Sequence, residues 1–248
     1  MNRGMDAPSL VGIINATPDS FSDGGRFLAP AAAAARAREL EATGAAFLDI
    51  GAESTRPGHM PVGEAEELRR LLPVLEAVRG ATGLPLSVDT RKAGVMRAAI
   101  RAGAGIVNDV EGLRNPEMLE VARESGLPVI LMRPAGVAPR EMAAFFRRQL
   151  AALGEGARVM LDPGVGFGTT REEDRWLLEE GVPELAATGL PVLVGVSRKR
   201  IVRHLHPELP VEEASARVAV AAWRRGATHL RMHDFSAVKA LLARETGR

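Results

Sequence analysis

Apolar residues along this chain gather in short runs, each followed by a segment with helical spacing. The runs occupy residues 10–15, 47–50, 85–88, 106–108, 128–132, 159–161, 191–196 and 229–232. Val, Ile and Leu dominate them without clean alternation, which is the pattern of strands buried on both faces of a parallel sheet. The intervening segments are amphipathic. Residues 64–78 bring Leu68, Leu71, Leu72 and Leu75 onto one face, and residues 31–42 oppose Arg36, Arg38, Glu39 and Glu41 to an alanine-rich side. Helices are likewise predicted over 92–102, 117–125, 141–153, 172–187, 212–225 and 236–244. Gly44, Gly83, Gly103, Gly126, Gly154, Gly189 and Gly226 each fall just after a helical segment, where a left-handed cap is wanted. Pro85, Pro128 and Pro191 open strands, a position that tolerates a missing N–H.

Strand–helix units in this number, within 248 residues, predict an α/β protein with a single (β/α)8 (TIM) barrel filling one domain over 1–248. An open doubly wound sheet is the alternative, opposed by the lack of a Gly-x-Gly-x-x-Gly turn after any strand. Composition acts mainly by exclusion. A net charge of +1 gives no general attraction to nucleic acid or to an anionic membrane. There is no apolar run of about 18 residues to span a bilayer. The first residues, MNRGMDAPS, are too short and polar for a signal peptide, so a cytoplasmic protein is expected. The chain has no cysteine, which removes thiol chemistry.

The chemistry of such a barrel lies at the C-terminal ends of its strands. The first strand runs straight into a polar loop, Asn15 to Gly25, in place of a connector of about two to six residues. The later strand ends supply Asp49, with Glu53 to Gly58 behind it, then Asp89 and Thr90, Asn108 and Asp109, Met132 and Arg133, Asp162 and the run PGVGFG, Ser197 to Lys199, and Arg231, His233 and Asp234. An Asp or Asn in such a place often only caps the next helix. Their joint placement at one mouth argues for a site. Asp89, Asn108 and Asp162 are acceptor-rich and suit a flat heterocycle bearing several N–H donors. Arg56, Arg231, His233 and Asn15 come from strands two, eight and one and suit a phosphate or diphosphate. Lysine occurs only at Lys92, Lys199 and Lys239, so a retained lysine hints at a need for a compact ammonium. Lys92 and Lys239 are expected to be solvated on helices, and Lys199 lies just past a strand.

These motifs resemble those of the dihydropteroate synthase family. The resemblance rests on GIINATPDSFSDGG at 12–25, DIGAESTRPG at 49–58, SVDT at 87–90, NDV at 108–110, LDPGVGFG at 161–168, GVSRK at 195–199 and RMHD at 231–234. It covers nearly the whole chain. It implies a transferase that joins 6-hydroxymethyl-7,8-dihydropterin diphosphate to p-aminobenzoate with the help of Mg2+. By resemblance, Asp89, Asn108, Met132, Asp162, Phe167 and Lys199 hold the pterin, and Asn15, Arg56, Arg231 and His233 hold the diphosphate. Asn15 also binds the metal, and Thr55, Pro57 and Ser197 border the p-aminobenzoate pocket. Asp89, Asp162, Lys199 and Arg56 are the catalytic candidates, and a homodimer is expected. The chain departs from the family after strand five. A Met-His-Met stretch and a longer loop are usual there, whereas this chain has Met132, Arg133, Pro134, Ala135 and Gly136. Thr169 follows the GFG motif in place of a basic residue, and Arg200 stands where a serine is common. An altered fifth loop is what a non-catalytic pterin-binding paralogue would show, and a pterin-dependent methyltransferase domain is a further alternative. The paralogue has no use for the diphosphate residues, and the methyltransferase would not need the Thr-Arg-Pro loop at 55–57 or the Ser-Arg-Lys run at 197–199.

Overall fold

Every apolar run becomes a strand, and the strands pair in parallel. The structure is a computed structural model and describes residues 7–15, 29–51 and 62–246. Among these the strands are β1 (Ser9–Asn15), β2 (Ala45–Gly51), β3 (Leu86–Asp89), β4 (Ile106–Asp109), β5 (Val129–Met132), β6 (Val159–Asp162), β7 (Leu193–Gly195) and β8 (His229–Met232). Their order is β6-β5-β4-β3-β2-β1-β8-β7. The two ends of this sheet meet through one bridge, Leu161 to Val192, and the Leu161 N–H reaches the Pro191 carbonyl at 2.9 Å. Sequential order with meeting ends is a barrel, and it rules out the doubly wound alternative. The strand-opening prolines serve the sheet through their carbonyls. Pro85 accepts from Leu48 N–H at 3.1 Å and Pro128 from Val107 N–H at 2.9 Å.

The helices are α1 (Pro30–Ala42), α2 (Glu64–Arg79), α3 (Ala93–Arg101), α4 (Pro116–Ser125), α5 (Met142–Leu153), α6 (Arg171–Trp176), α7 (Val182–Ala186), α8 (Arg200–Leu205), α9 (Val211–Arg224) and α10 (Ser236–Thr246). The predicted helix over 172–187 is α6 and α7 joined by a widened π-type turn, Leu177–Gly181. The short α8 has no counterpart in the expected set, because six residues are too few for a helical period to show. None of the described helices is long and apolar enough to cross a membrane.

Two expectations need correction. Gly83 is not a left-handed cap: α2 ends earlier, at Arg79 with Gly80, and Gly83 keeps an ordinary φ. The other six predicted cap glycines have φ between 60 and 110°. Lys92 is not a solvated helix residue. It sits just before α3, and its ammonium lies 2.5 Å from Oε2 of Glu67, a fully buried residue of α2. Glu67 Oε1 accepts from Thr90 Oγ1 at 2.6 Å, so this pair braces the turn that follows β3. Lys239 donates to the Thr43 carbonyl at 3.1 Å.

The barrel interior changes character along its axis. Its lower layer is apolar: Val11, Phe47, Ile106, Ile130 and Leu193 cluster there with Met160 against them. Side chains two residues apart on a strand share a face. Asp49, Asn108 and Asp162 therefore stand one layer above Phe47, Ile106 and Met160, and they are buried there with Arg231. Apolar side chains at those places would each contribute about 1.5–3 kcal/mol of burial. A chain that places charge there instead gives up stability for chemistry.

Candidate active site

The upper layer is one connected network. Arg231 donates from Nη1 to Asp49 Oδ2 at 3.0 Å and from Nη2 to Asp162 Oδ2 at 3.1 Å. Asn108 Nδ2 donates to both oxygens of Asp49, at 3.1 and 3.2 Å. Asp162 Oδ1 accepts the Gly164 N–H at 2.8 Å. Burial alone would lower the Arg231 pKa, but the Asp49, Asp162 and Asp89 carboxylates outweigh it and raise the value. Sheet register sets Asp89 beside Asn108. Burial, then the neighbouring Asp49 carboxylate, push the Asp89 pKa well above its usual range, against the pull of Arg231. Asn108 Oδ1 is buried and has no hydrogen-bond partner, so this network ends in a free acceptor. Asp109, the next residue, serves its own loop by accepting from the Glu111 and Leu113 N–H groups at 2.9 and 2.8 Å.

Lys199 comes in from the turn after β7. Its Nζ donates to the Val165 carbonyl at 2.5 Å and lies 4.5 Å from the centre of the Phe167 ring. Burial pushes its pKa down to about 8, opposed by Asp162 and reinforced by Arg231. The preceding residue, Arg198, has φ 62°, a left-handed conformation. It is fixed there by its N–H to Ser215 Oγ at 3.0 Å and its Nε to Glu212 at 2.8 Å, both from α9.

The loop after β6 that carries Val165 and Phe167 is fastened from two sides by residues the motif reading did not single out as site residues. Asp174, buried on α6, accepts the Gly166 N–H at 2.6 Å and the Thr169 hydroxyl at 2.5 Å. Arg133, buried after β5, donates only to carbonyls, among them Pro163 at 2.9 Å and Gly164 at 2.8 Å. A Cβ on Gly164, whose φ is 68°, would stand 2.3 Å from the Arg133 carbonyl oxygen, so the two loops can approach only with glycine there. An arginine in place of an apolar residue at the end of a buried strand was the available signal for Arg133. Asp174 sits in the acidic run EED and gives none.

A second group gathers where β1 and β8 meet. His233 Nδ1 is 2.9 Å from Ser197 Oγ, which also accepts the His233 N–H at 3.2 Å. Asn15 Nδ2 lies 3.5 Å from His233 Nε2. The Arg36 guanidinium donates to the His233 carbonyl. The structure thus unites Asn15, Ser197 and His233, and separately Asp89, Asn108, Asp162, Arg231 and Lys199 with Phe167. Arg231 bonds within the carboxylate group and not to His233. Met132 is fully buried at the end of β5, in register with Asp162. Thr55, Arg56 and Pro57 lie outside the described residues, as does most of the loop after β1.

No three His, Cys, Asp or Glu side chains cluster to cage a metal among the described residues. Mg2+ does not need such a cage, since it keeps waters and binds through one or two protein oxygens plus substrate phosphates. The Asn15 amide, with its nitrogen toward His233, offers one such oxygen and fits that mode.

Comparison with known proteins bears on this geometry. A profile of the family described as pterin binding enzyme matches residues 11–233. The dihydropteroate synthase of Escherichia coli K12 is 39% identical over 245 residues, covering 92% of this chain and 86% of its own. The Xanthomonas albilineans dihydropteroate synthase solved with 4-aminobenzoic acid superposes with a TM-score of 0.88 at 41% identity, over 98% of this chain and 94% of that one. The same enzyme in complex with 7,8-dihydropteroate gives a TM-score of 0.84 at 39% identity, with the same coverage.

Proposed function

This chain belongs to the pterin binding enzyme family, and from that premise we propose how its residues divide the work. The chain is a transferase of folate biosynthesis with dihydropteroate synthase activity. It condenses 6-hydroxymethyl-7,8-dihydropterin diphosphate with p-aminobenzoate and releases 7,8-dihydropteroate and diphosphate.

The observation that carries the assignment of roles is the buried, unpartnered Asn108 Oδ1 beside Asp89. A buried acceptor left unpaired costs stability. A pterin edge, rich in N–H donors, satisfies it and gives Asp89 and Asp162 donors as well. Lys199, under the Phe167 ring, supplies the donor for the pterin oxygen and nitrogen acceptors.

In the reaction the C–O bond at the pterin methylene breaks and its electron pair leaves with diphosphate. The lone pair of the aromatic amine forms the new C–N bond, and the amine loses one proton to solvent. The cation that develops on the methylene delocalises into the ring, where Asp162 and Asp89 stabilise it. Arg231 keeps Asp162 aimed. The leaving charge is met by His233, Asn15 and Arg56, and family resemblance adds Arg231, which the structure pairs with Asp49 and Asp162. Asn15 would hold a Mg2+ ion brought in with the diphosphate, and such an ion would supply charge neutralisation for the leaving group. The amine needs little activation, so no general base is assigned. Ser197, bonded to His233, borders the p-aminobenzoate pocket with Thr55 and Pro57 and links it to the diphosphate side.

Family resemblance supports a homodimer. A diphosphate ester that does not cross membranes supports a cytoplasmic site of action. The test is direct: purified protein, pterin diphosphate, p-aminobenzoate and Mg2+ should give dihydropteroate and diphosphate in equal amounts, and Lys199→Ala should lose both. Tight binding of the pterin diphosphate without turnover would return the case to a non-catalytic paralogue.

A further inference from the structure

We propose that Arg133 is a positioning residue for the pterin site: it ties the loop after β5 to the loop after β6 and so holds the Val165 carbonyl and the Phe167 ring against the Lys199 ammonium. The proposal rests on the reading that Lys199 binds the pterin.

A guanidinium has five N–H donors in a fixed fork. Here Nε donates to the Pro163 carbonyl at 2.9 Å, Nη1 to Pro134 at 3.1 Å and Val137 at 2.5 Å, and Nη2 to Gly164 at 2.8 Å and Phe167 at 3.1 Å. The Arg133 N–H itself reaches the Asp162 carbonyl at 2.9 Å. Only 1% of the residue is exposed. Burying a cation is costly unless its donors are met, and its pKa is lowered by that burial. A hydrocarbon would fill the space at less cost but could not gather five carbonyls from two segments.

The gathered segments have little structure of their own. The β6 loop contains Gly164, Gly166 and Gly168, all with positive φ, and Arg133 holds it through the Pro163, Gly164 and Phe167 carbonyls while Asp174 holds Gly166 and Thr169. Val137 and Pro134 belong to the shortened β5 loop, which the same guanidinium folds back. The departure from the family at this loop is thus a self-consistent substitute for the usual stretch. Its output is one residue away: Gly164 and Phe167 are bonded to Arg133, and Val165 and Phe167 contact Lys199. The charged groups around Lys199 are Asp162 from β6, Arg231 from β8, Asp174 from α6 and Asp89 from β3.

A double-mutant cycle tests this. Arg133→Gln, Arg133→Lys, Lys199→Ala and the two Arg133 changes in the Lys199→Ala background are compared as full-length proteins with Mg2+. Arg133→Gln should raise the KM for pterin diphosphate about tenfold or more while leaving the KM for p-aminobenzoate within about twofold. In the Lys199→Ala background it should change pterin binding, titrated with 6-hydroxymethylpterin, by less than about twofold. Arg133→Lys keeps the charge and loses the fork, and should reproduce most of the loss. If Arg133→Gln does not fold, the Lys variant carries the cycle. Effects that multiply in the double variant, or a fall in kcat with both KM values unchanged, would overturn the proposal. Unchanged pterin affinity in Lys199→Ala alone would instead overturn the role of Lys199.

Discussion

Arg231 and Asp162 meet at 3.1 Å inside the mouth of the barrel, from strands β8 and β6 that are not sheet neighbours. The same guanidinium holds Asp49 of β2 at 3.0 Å. One cation therefore spans the barrel and fixes two carboxylates, and one of them in turn fixes Asn108. This span sets the aim of Asp162 and Asn108 at the pterin edge, while the loops after β5 and β6 set that of Lys199.

Asp49 is the hub, although it touches no proposed substrate atom. Replacing it by Ala leaves Arg231 with one of its two salt bridges and Asn108 Nδ2 without its acceptor. Breaking one side of a buried ion pair typically costs about 3–5 kcal/mol. Asp49→Ala should lower the free energy of unfolding in urea by about that amount, and Asp49→Asn by less. A loss under about 1 kcal/mol would mean that Arg231 and Asn108 re-pair elsewhere.

Asp162→Asn keeps the shape and one acceptor but removes the charge that faces the developing cation. Removing one preorganised electrostatic group commonly costs about 10²–10³ in kcat. Turnover measured under saturating substrates should fall by that factor, with pterin binding less affected. Intact turnover would rule out cation stabilisation by this carboxylate.

Much of the molecule could be seen in the sequence because the signals were local. Strand runs, cap glycines such as Gly126 and the strand-end rule placed Asp89, Asn108 and Asp162 at one mouth. What could not be seen depended on partners far along the chain. Arg231 pairs with Asp49 across 182 positions, and no period or spacing encodes that. Arg133 and Asp174 bond largely to main-chain atoms, which have no residue identity to recognise. Lys92 was misplaced because its helical position suggested solvent, whereas its partner Glu67 is a charged residue turned inward from α2. Gly83 is no cap because it lies four residues past the end of α2, which Gly80 closes with an ordinary φ.

Gly195 faces the Arg231 guanidinium. A Cβ there would lie 2.9 Å from Nε and 3.0 Å from Nη2. Arg231 is held by two carboxylates and cannot swing away without breaking one of them. Gly195→Ala should therefore cost about 1–3 kcal/mol of stability and lower kcat/KM for pterin diphosphate about tenfold or more. A variant with both quantities unchanged would show that the guanidinium has slack the structure does not suggest.

Lys199 should make activity and stability move in opposite directions with pH. Burial sets its folded pKa at about 8, below the usual 10.5 of a lysine. The charged ammonium is the form that donates to the pterin. The kcat/KM for pterin diphosphate should thus fall above pH 8, by about tenfold per pH unit for a single proton. Stability runs the other way. A folded pKa below the unfolded one means that the fold penalises the charged form, so the penalty is complete below pH 8 and fades as pH rises toward 10.5. Relative to Lys199→Met, which has no such proton, the wild-type unfolding free energy should climb between pH 8 and 10.5 while its activity declines. Urea midpoints for both proteins across that range, beside the kcat/KM profile, check the two halves independently. A flat difference in midpoints would mean that Lys199 is solvated at the mouth, and an activity profile without an alkaline limb would mean that the neutral amine suffices for the pterin.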